Sequence, residues 1–324
     1  MKDTTTIDST NPCHGWAIAI HGGAGTIPRD APPLRREAAT RGLATALDHG
    51  RNLLQAGRPA VEVAEAVVRI LEDDPTFNAG RGAVLNVQGE HELEASIMEG
   101  HTARAGAVAG LRTVRNPITL ARHVMRDTPH LFLAGDGAEA FADEAEVERV
   151  EPPYFTTEHR QAALSRILEG HTASDDSPES PPTRGGSTVG CVVVDHEGNL
   201  ASATSTGGMT AKREGRIGDT PLIGAGTWAD ARVAVSGTGT GEEFIRWGIA
   251  HDLAARVEYQ NASLVAAATA VVDERLRPDD GGVISVDAGG GIAMAYNSLG
   301  MYRGAANANG VFQVSIWEEP ELRD

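Results

Sequence analysis

The stretch Gly186-Ser187-Thr188-Val189-Gly190-Cys191-Val192-Val193-Val194 divides this chain into two unlike parts. Before it lies Ser174-Asp175-Asp176-Ser177-Pro178-Glu179-Ser180-Pro181-Pro182, a polar, proline-rich run with nothing to bury. Residues 170–187 therefore read as a flexible linker. From Thr188 to Val194 the chain reads as a strand rich in β-branched residues. A threonine at this junction matters chemically. Its hydroxyl is a weak nucleophile unless a base lies within hydrogen-bond reach, and a free N-terminal amine is one such base. With a pKa of about 7.7–8.0, that amine is partly unprotonated near neutrality. Thr188 acquires it only if the chain breaks between Ser187 and Thr188. The plain alternatives are a strand that happens to begin with threonine and a linker that joins two domains.

Upstream of the junction, residues 1–14 read as a disordered tail. Trp16 to Ile20 is a short apolar strand running into His21-Gly22-Gly23-Ala24-Gly25. Leu34 to Ala56 is helical and stops at Gly57; Pro59 to Glu72 is a second helix with Val63, Val67, Ile70 and Leu71 on one face. Ala83 to Val87 and Glu92 to Met98 read as a hairpin about Gln88-Gly89. Strands are expected over Ala105 to Leu111 and Leu131 to Ala134, and helices over Pro117 to Arg126, Ala138 to Glu148 and Glu158 to Leu168. Downstream, Leu200 to Thr206, Val233 to Ser236, Val283 to Val286, Ile292 to Tyr296 and Val311 to Ile316 read as strands. Glu242 to Val257 and Ser263 to Arg275 read as helices. Hairpin-linked strands with helices in runs point to a layered α+β protein.

The 324 residues suit one large or two ordinary domains, and the formal net charge of -17 argues against nucleic acid as a partner. Cys13 and Cys191, the only cysteines, make neither a disulfide framework nor a four-cysteine zinc site. Met1 to Pro12 lacks the apolar core of a secretory signal, and no apolar run approaches the roughly 20 residues of a membrane helix. A cytoplasmic protein that binds no membrane is the expectation.

Three further segments carry chemistry. Thr204-Ser205-Thr206-Gly207-Gly208-Met209-Thr210 is a hydroxyl- and glycine-rich loop suited to ligand contact. Arg216 and Asp219 lie three residues apart around Gly218. One binds a carboxylate and the other an ammonium, so together they suit the head group of an amino acid; the alternative is an exposed ion pair. Ser236-Gly237-Thr238-Gly239-Thr240-Gly241-Glu242 precedes a helix, where backbone N–H groups can hold an oxyanion. A nucleotide loop is the rival for that segment. Its glycines do not complete GxGxxG, however, and no Walker Lys-Ser/Thr follows.

Taken in order, these pieces resemble the plant-type L-asparaginase/isoaspartyl peptidase family of N-terminal nucleophile hydrolases. The resemblance runs from Trp16 to Ala306. It includes His21 to Gly25, Phe77-Asn78-Ala79-Gly80, His91 to Ala95, Ala105 to Gly110, Arg115-Asn116-Pro117, Thr188-Val189-Gly190, Thr204 to Met209, Gly215 to Asp219 and Thr238 to Glu242. It implies an αββα four-layer sandwich, made as a precursor that cuts itself into an α part (15–187) and a β part (188–324) of one structural domain. It implies Thr188 as nucleophile, assisted by Thr206, with Thr238 and Gly239 at the oxyanion or the substrate side chain. Arg216, Asp219 and Gly241 would bind the substrate head group, with Asn78 close to the nucleophile. It also implies a structural sodium ion on the backbone carbonyls of Leu71, Glu72, Asp74, Phe77, Ala79 and Arg81, although a helix stop at Asp74-Pro75 explains the same residues. No cofactor for the chemistry is expected. The substrates would be L-asparagine and β-aspartyl dipeptides, and the assembly a dimer of cleaved pairs.

The chain departs from the family where Ser187 replaces the usual glycine before the nucleophile, which bears on how readily the cut occurs. Two alternatives stay open: a glycosylasparaginase, and an uncleaved amino-acid binder without catalysis.

Overall fold

A computed structural model of the chain describes residues 5–170, 188–317 and 320–323. Ser187 and residues 171–187 of the expected linker lie outside the described residues. Before the junction the order is β1 (Thr6–Thr10), β2 (Ala17–Gly25), α1 (Pro33–Gln55), α2 (Ala60–Asp73), β3 (Leu93–Glu99), β4 (Arg104–Leu111), α3 (Pro117–Asp127), β5 (Phe132–Ala134), α4 (Gly135–Glu144) and α5 (Glu158–Leu168). After it come β6 (Val189–Val194), β7 (Leu200–Thr206), β8 (Thr227–Ala229), β9 (Val233–Gly239), α6 (Gly241–Trp247), α7 (Ile249–Gln260) and α8 (Leu264–Arg275). The chain closes with β10 (Gly281–Asp287), β11 (Ile292–Tyr296), β12 (Gly300–Asn307), β13 (Phe312–Ser315) and β14 (Pro320–Arg323).

The strands form two sheets, ordered β1-β11-β10-β9-β8 and β14-β13-β12-β2-β6-β7-β3-β4-β5. Pairing is antiparallel except between β4 and β5. β6 lies between β2 and β7, so strands from both sides of the junction are interleaved in one sheet. The period-two pattern explains which faces are covered. Ile18, Ile20, Val189, Cys191, Val193, Ala201 and Ala203 pack in one cluster with Leu43, Leu47, Val67 and Leu71 of α1 and α2. The alternate residues Ala17, Ala19, Val192 and Val194 join Ala234, Ile284 and Val286 of the other sheet. Val233, Val235, Val283, Ala293 and Ala295 gather with Leu253, Ala268 and Val271 of α7 and α8.

Three expectations are corrected, and strand β12 has no counterpart among them. The tail expected over residues 1–14 contains β1, which pairs in register with β11 from Thr6↔Tyr296 to Thr10↔Ile292. Asp8 accepts from Arg303 Nε at 2.6 Å, so the fully buried guanidinium has its counter-charge from this strand. The hairpin about Gln88-Gly89 does not form. Asn86 Oδ1 instead accepts from the N–H groups of Gln88 and Glu90 at 2.9 and 3.0 Å, tying a compact loop. Val87 N–H turns to the Lys212 carbonyl at 2.9 Å. β3 starts only at Leu93, with β4 and β7 as its neighbours. The helix expected over Glu242 to Val257 is broken at Gly248, whose φ of 57° closes α6 before α7 begins. Finally, β12 lies beside β2 although Gly300, Gly304 and Asn307 give it no strand signature.

Candidate active site

The layer shared by the two sheets changes character along its length. Ala17, Ala19, Val192, Val194, Ala234, Ile284 and Val286 make it apolar at one end. At the other end, on the same faces, stand His21 on β2, Thr204 and Thr206 on β7, and Ser236 and Thr238 on β9, all buried. Thr188 immediately precedes β6 and is 6% exposed.

Thr188 Oγ1 donates to Thr206 Oγ1 at 3.1 Å. Thr206 Oγ1 also accepts from Gly208 N–H at 3.0 Å, which fixes the turn after β7. Asn78 braces that turn from the other side: its Nδ2 donates to the Gly208 carbonyl at 2.7 Å, and its own carbonyl accepts from Gly207 N–H at 3.1 Å. Asn78 thus works on the turn that carries Thr206. Gly207 has no room for a side chain, since a Cβ would lie 2.7 Å from Asn78 Oδ1.

From Gly208 the site continues to the Arg216–Asp219 segment. A Cβ on Gly208 would lie 3.4 Å from Arg216 Nη1, and one on Gly241 would lie 2.8 Å from both Arg216 Nη2 and Asp219 Oδ1. Gly241 therefore lets α6 start against both charged groups. Arg216 donates to Glu242 through Nε and Nη2 at 3.1 and 3.0 Å. Asp219 is 6% exposed, and its Oδ2 has no hydrogen-bond partner among the described residues. Burial raises its pKa to about 7, against the pull of Arg216. Glu94 holds the segment from below: Oε2 accepts from Gly218 N–H at 2.9 Å, and Oε1 lies 3.4 Å from the buried Lys212 Nζ.

Thr238 Oγ1 accepts from Ala24 N–H at 3.2 Å. Gly239 lies opposite Gly281 in register, and a Cβ there would lie 2.5 Å from the Asp280 carbonyl oxygen.

Among the expected site residues, the structure joins Thr188, Thr206 and Asn78 around one turn and Arg216, Asp219 and Gly241 around one charged cluster. His21, Ser236, Glu94 and Glu242 were not singled out as site residues, yet they complete these clusters. Strand parity is the signal that finds the first two: Ala17, Ala19 and His21 alternate along one face, as do Ala234 and Ser236.

The segment from Leu71 to Arg81, for which the resemblance implies sodium, folds as a tight loop. Gly80 and Gly82 have φ of 48° and 96°. Their Cβ positions would lie 2.5 Å from the carbonyl oxygens of Glu72 and Pro75 respectively, and 2.7 Å from that of Phe77 for Gly82. The Glu72 and Asp74 carbonyls accept from Arg81 and Phe77 N–H at 2.7 and 3.3 Å, which leaves each a second lone pair. The backbone carbonyl oxygens of Glu72, Asp74 and Phe77 are the donor type that fits a hard cation. The Glu72 side chain faces elsewhere. Its Oε1 accepts from Ser205 Oγ at 2.6 Å and Ile118 N–H at 3.0 Å, and burial pushes its pKa up to about 8.

Comparison with known proteins gives the family of the chain. Residues 14–316 match the family model described as asparaginase. The isoaspartyl peptidase of Escherichia coli (strain K12) is 46% identical, the alignment covering 93% of this chain and 96% of that protein. The probable isoaspartyl peptidase/L-asparaginase 2 of Arabidopsis thaliana is 44% identical over 94% of this chain and 99% of its own. The isoaspartyl peptidase/L-asparaginase of Rattus norvegicus is 40% identical over 92% and 88%. No helix among the described residues is long and apolar enough to cross a membrane.

Proposed function

The chain belongs to the asparaginase family, and on that premise we propose that it hydrolyses L-asparagine and β-aspartyl dipeptides after cutting itself between Ser187 and Thr188. The observation that carries this reading is the Thr188–Thr206 hydroxyl pair, 3.1 Å apart at the head of β6.

In the cut chain the α-amino group of Thr188 takes the proton of its own hydroxyl, and the oxygen attacks the β-carbonyl carbon of the substrate. Thr206 orients that hydroxyl. Thr238 and Gly239 hold the oxyanion, where one donor is worth about 2.7–4 kcal/mol of barrier. Ammonia or an amino acid leaves, and water hydrolyses the aspartyl ester. Arg216 takes the substrate α-carboxylate in place of its contact with Glu242. Asp219 takes the α-ammonium: its Oδ2, which has no partner among the described residues, accepts from the ammonium, and the arriving cation draws the carboxyl into the ionised form. Gly241 leaves room beneath both, and Asn78 shapes the turn beside Thr206.

The same proposal includes an αββα layering of one domain built from residues 15–187 and 188–324, a dimer of cleaved pairs, and a cytoplasmic setting. A structural sodium ion would be held by the carbonyls of Leu71, Glu72, Asp74, Phe77, Ala79 and Arg81. The ion would hold the loop next to Asn78, and no chemical step passes through it.

Thr188→Ala tests the reading. It should remain one chain of 33.9 kDa without activity on L-asparagine or β-aspartyl-leucine. A cut, active variant would overturn it, and activity confined to glycosyl-asparagine would reassign the substrate.

A further inference from the structure

The polar end of the inter-sheet layer contains one directed chain of hydrogen bonds. The Thr188 carbonyl only accepts, so His21 Nδ1, 2.9 Å from it, carries the proton. Burial lowers the imidazole pKa to about 3, which keeps the ring neutral and leaves Nε2 as an acceptor. Ser236 Oγ, 2.9 Å from Nε2, therefore donates to it. With its one proton used there, Ser236 accepts from Thr204 Oγ1 at 2.8 Å, and Thr204 accepts from Thr227 Oγ1 at 2.6 Å. Ser96 Oγ shares its proton between Thr227 Oγ1 at 2.8 Å and the Thr220 carbonyl at 2.6 Å. Thr220 directly follows Asp219. Reversing Ser236 would leave His21 Nε2 without a donor, while Thr204 and Thr227 also lie 3.3 and 3.5 Å from the Gly226 and Thr220 carbonyls; the bonds of such a chain polarise one another.

We propose that His21 is a positioning residue: it clamps the Thr188 carbonyl so that the hydroxyl of Thr188 stays aimed at Thr206. The chain through Ser236, Thr204, Thr227 and Ser96 holds the ring from its Nε2 side and ties it to the segment beside Asp219. This rests on Thr188 being the nucleophile. Before the cut, peptide bonds on both sides restrain residue 188; afterwards only the bond to Val189 does. The carbonyl clamp is then the main restraint on the backbone of the nucleophile. Gly190 supplies independent support. It lies opposite His21 in register, and a Cβ there would come within 2.1 Å of Ser236 Oγ and 2.3 Å of His21 Nε2. The glycine of Thr188-Val189-Gly190 thus makes room for the ring that reaches Thr188. Apolar side chains would fill this layer without the cost of burying five polar side chains, so packing alone does not call for the chain.

Two pairs of variants test the clamp. His21→Asn places an amide nitrogen near the Nδ1 position, whereas His21→Gln reaches toward the Nε2 position. Thr204→Val removes a hydroxyl at almost constant shape, and Thr204→Ser keeps it. The fraction cut is read by mass spectrometry, and kcat and KM of the cut enzyme are measured with L-asparagine and β-aspartyl-leucine. His21→Gln and Thr204→Val should lower kcat about 10- to 100-fold, the cost of a misplaced nucleophile, with KM nearly unchanged. His21→Asn and Thr204→Ser should recover most of the loss. A Thr204→Val protein that stays uncut while Thr204→Ser is cut also supports the clamp, because the cut uses the same hydroxyl. Full kcat in His21→Gln and Thr204→Val, or no difference within the Thr204 pair, overturns it. If the His21 variants do not fold, the Thr204 pair decides alone. Failure of the nucleophile assignment is told apart by Thr188→Ala, which would then keep its activity.

Discussion

The two ends of the layer between the sheets use the same strands for opposite purposes. At one end Ala17, Ala19, Val192, Val194, Ile284 and Val286 are interchangeable in kind: apolar, small enough to interlock and without polar atoms to satisfy. At the other end Thr188 is bonded to Thr206, Ser236 to His21, and Thr204 to Ser236, each hydroxyl with a specific partner. The first end stabilises in proportion to the surface it removes from water. The second costs desolvation that its hydrogen bonds largely offset, and what it secures is geometry. The lesson is that stability and activity should separate cleanly along these strands.

The sharpest way to break that separation is at the charged cluster. Arg216→Ala should lower kcat/KM for L-asparagine by roughly 10³-fold, because it strands Asp219 and Glu242 and removes the carboxylate partner. Its melting temperature should fall less than for a core truncation, since Asp219 can take up a proton when the guanidinium is removed. Steady-state kinetics beside a thermal scan checks both halves. A large loss of stability with kcat/KM intact would reverse the assignment of the two ends.

At the apolar end the expectation inverts. Ile284→Ala should cost about 2–5 kcal/mol of folding stability, as for other fully buried aliphatic truncations, and leave kcat of the folded enzyme unchanged. Denaturant unfolding measures the first and kinetics the second. A comparable fall in kcat would mean that the two ends are mechanically coupled.

Glu72 sharpens the comparison on the helix-covered face of the same sheet. Its ordinary pKa is 4.5 and burial raises it to about 8, so between these values the folded chain holds a proton that the unfolded chain has released. Stability therefore falls as pH rises through that window and levels off above it. Asp219 adds a slope of the same sign between 3.8 and about 7. Glu72→Gln should flatten the Glu72 part, on the order of a few kcal/mol between pH 5 and 8. Unfolding free energy against pH for both proteins is the measurement. An unchanged slope would show that the carboxyl is not the buried acid described.

The strands β6 and β7, at whose ends Thr188 and Thr206 lie, were legible because β-branched runs and period-two alternation are local signals; β9 was legible only to Ser236, and its continuation through Thr238 to Gly239 was not. The Arg216–Asp219 pair was legible because its two charges lie close in sequence. What escaped local reading depends on distant partners. β1 is a strand only because β11 and Arg303 lie beside it. The expected hairpin fails because Asn86 ties its own loop and Val87 finds Lys212. His21 looked like the start of a glycine loop; its partners Ser236 and Thr188 are 215 and 167 residues away. Glu242, three residues beyond Gly239, shows its contact with Arg216 only once the chain is folded.

The central claim is that Thr188 becomes an N-terminal residue and acts as nucleophile. Intact-mass analysis of the purified wild-type chain, with N-terminal sequencing of the smaller fragment, tests it most directly. Two fragments that meet at Ser187/Thr188, the smaller beginning Thr188-Val189-Gly190, are the expected result. A single chain of 33.9 kDa that turns over L-asparagine at full rate would contradict it.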